Sequence, residues 1–82
     1  MSYTVIDIDS NPYVYCHKKL FSSAVIGDCW NYIRNHLTSY NSNDRFNALT
    51  FVVVDKCHEF VDPPEIIKVL RKSVKNETRK VA

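Results

Sequence analysis

A chain of 82 residues has room for one hydrophobic core, because so short a polypeptide buries only about 60 to 65% of its unfolded surface; a second domain or a deep catalytic cleft would consume that core. Its 45% hydrophobic content, with five Tyr, four Phe and one Trp, excludes a disordered polar chain. Eleven basic and nine acidic residues leave a formal charge of +2, too balanced to form an electrostatic footprint for nucleic acid, although Lys68, Arg71, Lys72, Lys75, Arg79 and Lys80 gather at the C-terminal end against Glu77.

Three cysteines, Cys16, Cys29 and Cys57, make an odd number, and the start MSYTVIDID has neither a basic nor an apolar leader region. A secreted disulfide scaffold is therefore not expected. Apolar runs such as Phe51 to Val54 fall far short of the roughly 20 residues that span a bilayer. The expectation is a cytoplasmic protein with reduced thiols.

Tyr3 to Ile8 alternates with the two-residue period of a half-buried strand. Asp9-Ser10-Asn11-Pro12 follows as a turn, since Pro12 lacks a backbone donor and pushes Asn11 out of the helical region. Tyr13-Val14-Tyr15-Cys16 reads as a second strand, His17-Lys18-Lys19 as a polar tip, and Leu20-Phe21 as a short third strand. Ser22 and Ser23 offer hydroxyl caps to a helix whose apolar stripe runs through Val25, Ile26, Cys29, Trp30, Ile33, Leu37 and Tyr40. Gly27, the one glycine, costs about 1 kcal/mol of helix propensity there and suggests close approach of a strand. Asn41 to Asp44 then reads as a polar loop.

Ala48 to Val54 is apolar on both alternating faces, as a central strand is. Asp55-Lys56-Cys57-His58 makes a second polar tip and Glu59-Phe60-Val61 a returning strand. Asp62-Pro63-Pro64-Glu65 then provides an N-cap with proline at the first helical position. Ile66, Ile67, Val69, Leu70 and Val74 read as the buried stripe of the second helix, which is expected to fray after Lys75. The fold class that results is α+β: a small, mostly antiparallel sheet of roughly three to five strands with two helices on one face, in hairpin-helix, hairpin-helix order. Residues 1–75 form the single domain and 76–82 a frayed basic tail.

Chemistry-bearing residues are sparse. The Cys16-His17 and Cys57-His58 dipeptides would supply a tetrahedral zinc site if the two tips met, but neighbouring strand residues point to opposite faces and no C-x-x-C spacing is present. Cys57 or Cys29 with His36 as base and Asp55 as orienter is the thiol-enzyme alternative, and no family signature supports it. Asp7, Asp9, Asp55, Glu59 and Asp62 sit at strand ends and turns, where caps are the ordinary role. A phosphate cradle needs several glycines. The expectation is no enzyme and no cofactor.

Two surfaces suggest a partner. Tyr13, Tyr15, Lys18, Lys19 and Phe21 form a candidate aromatic and basic patch, and Arg71, Lys72 and Lys75 a basic helix end, which complements the helix dipole in its plainest reading. A protein-binding regulator is the leading expectation. A nucleic-acid binder, stacking bases on the tyrosines, is the alternative, and a homodimer through an open strand edge is compatible with either.

The succession of strand, NP turn, aromatic strand, and FSS leading into a helix with DCWNYI resembles the compact accessory proteins of T-even-like phages, and within them the lysis-inhibition accessory family. The likeness extends over Tyr3 to Val74 as an outline and rests on no diagnostic motif, so no site residue is carried over. It implies a host-cytoplasmic factor that helps delay lysis by acting with the cytosolic part of a holin or antiholin.

Overall fold

The computed structural model describes residues 2–8 and 18–79. Strands β1 (Tyr3–Asp7) and β2 (Lys18–Ser23) are followed by helices α1 (Ile26–Leu37) and α2 (Ser42–Asn47), a 3-10 turn (Ala48–Thr50), strands β3 (Phe51–Val54) and β4 (Phe60–Val61), and helix α3 (Glu65–Arg79). The strands form one antiparallel sheet in the order β2-β1-β3-β4. This is the α+β class read from the sequence. The strand expected at Tyr13 to Cys16 lies outside the described residues.

Alternation along β1 and β3 sorts their side chains between two faces. Val5, Phe51 and Val53 face the helices and join Cys29, Ile33 and Leu37 of α1 and Ile67 and Val74 of α3 in one core. Val5, Ile33, Val53 and Ile67 are fully buried, each worth about 1.5–3 kcal/mol of apolar transfer. Thr4, Ile6 and Val54 lie on the opposite face, where Thr4 pairs with Val54 and Ile6 with Val52.

The first hairpin departs from the expected order. Lys18 and Lys19 are strand residues, not a tip, and pair with Asp7 and Ile6. Val5 pairs with Phe21 while its neighbour Ile6 pairs with Lys19, so Leu20 is an extra residue, a β-bulge. Without the bulge Lys19 and Phe21 would share a face. With it, Phe21 sits among the helices and Lys19 on the opposite side.

Helix α1 begins later than Ser22 and Ser23 suggest, because both belong to β2. The Ser23 hydroxyl accepts from the Val25 amide at 3.1 Å and donates to Asp28 Oδ2 at 2.8 Å, ordering the approach to the helix without capping it. Val25 and Tyr40, read as the ends of the buried stripe, are exposed. Gly27 is exposed and helical, and a Cβ there would meet only Val25 Cγ1 at 3.9 Å, so no strand approaches it.

Two corrections concern the segment before β3. Ser42 to Asn47 is helical, not a loop: the Asn41 side chain accepts from the Asn43 amide at 2.9 Å and caps it. Ala48 to Thr50 is a 3-10 turn, so the central strand is shorter than its apolar run. Helix α3 also continues past Lys75 to Arg79. Arg45 of α2 holds Glu77 there in a bidentate pair, Nη2 to Oε1 at 2.5 Å and Nε to Oε2 at 3.2 Å, while Nη1 donates to the Ser39 carbonyl.

Candidate functional site

The bulge and the helix phases decide which expected site residues come together. Tyr13, Tyr15, Cys16 and His17 lie outside the described residues. Lys18 opens β2. Phe21 is half-buried and stacks on Tyr32 of α1, with ring centroids 5.1 Å apart and planes within 3°. Tyr32 in turn meets His36, whose Nδ1 lies 2.9 Å from the Tyr32 carbonyl, and Phe51. Phe21 therefore belongs to an internal aromatic cluster and not to a surface patch with Lys19.

Lys19 borders a concavity of about 730 Å³ on the sheet face opposite the helices, over Thr4, Ile6 and Val54, with Phe60 and His58 beside it. Phe60 is 65% exposed at this rim. Cys57 and His58 are exposed in the β3–β4 tip. The tip is built by Asp55, whose Oδ1 accepts from the amides of Cys57 at 2.8 Å and Glu59 at 3.1 Å, while its own amide donates to the Glu59 carbonyl. His58 adopts a left-handed φ of 59° to close the turn.

These commitments bear on the chemical candidates. Asp55 spends its carboxylate on backbone and orients no imidazole. Cys29 is fully buried in the core, and desolvation, helped by the charge of Asp28 and opposed by the Ser23 backbone amide, holds its thiol above the ordinary range. A raised thiol pKa disfavours the thiolate that nucleophilic chemistry uses. Among the described residues no group of three or more His, Cys, Asp and Glu side chains is placed to hold a metal ion.

The basic end of α3 divides in two. Ile67, Leu70, Arg71 and Val74 form the inward stripe at i, i+3, i+4 and i+7, and Ile66 and Val69, expected in it, are each 54% exposed. Arg71 thus points inward: its Nη2 donates to the Phe51 carbonyl, and its Nε is buried without a partner. Desolvation pushes its pKa below the ordinary arginine value. Lys72 and Lys75 are exposed, as is Lys68, which sequence reasoning did not single out as a site residue. The signal that could have found this division is the helical phase set by Ile67 and Val74, which places Arg71 inside and Ile66 and Val69 outside.

Among the described residues no helix is long and apolar enough to cross a membrane. No protein-family model, curated protein or solved structure matches the chain.

Proposed function

We propose that the chain is a non-enzymatic protein-binding regulator, acting in the host cytoplasm to assist lysis inhibition through a holin or antiholin, as its outline resemblance implies. The observation that supports the binding role is the set of large apolar side chains left outside so small a core: Tyr40, Val25, Phe60, Ile66 and Val69 are all more than half exposed. Scattered single exposures are ordinary, but Ile66 and Val69 lie one turn apart on the same helix. Of the groups that could carry chemistry, Asp55 is held in a turn, Cys29 in the core and His36 against the Tyr32 ring, while Cys57 and His58 are exposed in the β3–β4 tip.

Affinity capture of the tagged chain from phage-infected cells, washed at moderate salt and read by mass spectrometry, tests the proposal. Recovery of a holin or antiholin in stoichiometric amount is the expected result. Recovery of nucleic acid alone overturns it in favour of the alternative, a small nucleic-acid-binding accessory protein supported by the exposed lysines of α3.

A further inference from the structure

We infer that the concavity on the sheet face opposite the helices is a binding site for a medium-chain fatty carboxylate, with Lys19 as the anchor of its head group. The site lies away from α3 and stands apart from the partner reading above.

Thr4 pairs with Val54, Val54 with Phe60 and Ile6 with Lys19, so these five side chains share one face of the sheet. Ile6 and Val54 are 7% and 5% exposed, the depth of a floor, while exposed Phe60 and exposed Lys19 stand on the outer strands at opposite ends. The Leu20 bulge puts Lys19 there. Bulges gather next to binding sites because they re-aim a side chain, and this one sends a cation into an apolar concavity while Phe21 stays in the core cluster.

Size and chemistry select the occupant. A volume of about 730 Å³ falls among small-ligand sites, which span about 300–1,000 Å³. A folded partner or a second copy would need about 800 Å² on each side. Three strand spacings by a few residues offer roughly 200 Å². The floor also has little to give a peptide: β1 and β3 each lie between two strands and spend their amides in the ladder, and the hydroxyls of Thr4 and Ser22 satisfy each other at 3.2 Å. An extended peptide crossing it would hold its own amides over Ile6 and Val54 without partners. An alkyl chain asks for none.

Charge fixes the head group. At the tip end of the concavity Asp55 and Lys56 stand side by side, and Asp55 Oδ1 already accepts two backbone amides. Lys19 has no such neighbour in the lining, and the one ion pair among the described residues is Arg45 with Glu77. A single ammonium is a point charge that suits a monoanion, whereas a phosphate dianion is better met by an arginine fork. From Lys19 to Phe60 the face runs three strands across and two residues along, roughly 16 Å, a span that the lysine stem and a decanoate chain cover together.

The full chain, labelled with nitrogen-15, is titrated with decanoate below its micelle concentration and followed by amide chemical shifts and calorimetry. Saturable one-to-one binding is expected, with shifts centred on Thr4, Ile6, Lys19, Val54 and Phe60. Decyltrimethylammonium, with a like tail and the opposite charge, should bind at least about tenfold more weakly, and acetate, the head group alone, should not bind at these concentrations. Lys19→Gln should weaken decanoate about tenfold while Lys19→Arg retains it. Phe60→Ser should weaken it too, and Lys72→Gln on α3 should change nothing. All three positions are exposed, and a thermal melt of each variant confirms that it is folded. The inference is overturned by the absence of saturable binding, by shifts centred elsewhere, by equal affinity for the cationic amphiphile, or by indifference to Lys19→Gln.

Discussion

The guanidinium of Arg71 reaches from the inward side of α3 to the backbone carbonyl of Phe51, the first residue of β3. A residue that looks like part of a basic surface is therefore a strut between helix and sheet. Its stem lies in the core stripe, its Nη2 satisfies a carbonyl, and its Nε is buried unpaired. Arg71→Ala should destabilise the fold by about 1–3 kcal/mol, read as a lower urea midpoint, through lost stem packing and a lost charge-assisted bond. Per folded molecule, partner capture should not change.

Gly27 lies inside α1 with nothing near enough to exclude a methyl group. Gly27→Ala should raise stability by about 0.5–1 kcal/mol, mostly by restricting the unfolded chain. A loss of stability on thermal melting would mean that the helix start needs glycine's conformational freedom.

The two described thiols should differ sharply in reactivity. Cys57 is exposed and Cys29 is buried, so brief alkylation of native protein followed by peptide mapping should label Cys57 and spare Cys29 until denaturant is added. The same burial makes stability pH-dependent. Because the folded-state pKa of Cys29 is raised, its contribution is fully present below the unfolded thiol value of about 8.5 and is lost as pH climbs through the higher folded value. Alkaline melts should show this loss, and Cys29→Ala, although less stable overall from the cavity, should remove that part of the pH slope.

The left-handed φ of His58 gives a backbone test of the β3–β4 tip. His58→Val should cost about 1–2 kcal/mol, since a β-branched residue is strained there, whereas His58→Gly should be neutral or stabilising. If both substitutions melt alike, the turn does not require that conformation. Asp55→Ala should cost about 1–3 kcal/mol in the same assay, because the amides of Cys57 and Glu59 lose their acceptor.

The sequence made the strongly periodic elements legible. Val5 and Val53 mark the covered strand faces, Cys29, Ile33 and Leu37 mark the inner side of α1, and prolines 63 and 64 announce α3. What it hid was local geometry decided by tertiary contacts. One extra residue at Leu20 sends Lys19 and Phe21 to opposite faces, and nothing in KKLFSS signals a bulge. Helix α2 was masked by its polarity, Phe46 being its one apolar residue, and it is held by the Asn41 cap and the Arg45 pair with Glu77. Five apolar residues in α3 looked like one stripe, yet a stripe through Ile67 and Val74 must include Arg71 and leave out Ile66 and Val69. That phase takes Arg71 out of the basic helix end and leaves Lys68, Lys72 and Lys75 exposed on the flank of α3 away from Ile66.

The most direct test of the binding account is zero-length carbodiimide cross-linking of the tagged chain in phage-infected lysate, with the joined peptides sequenced by mass spectrometry. The account predicts that a lysine of this chain is joined to an Asp or Glu of one holin or antiholin species, and that I66A/V69A weakens the product. Cross-links that instead spread over Lys19, Lys56 and α3 to many unrelated proteins, and that survive I66A/V69A, would contradict it.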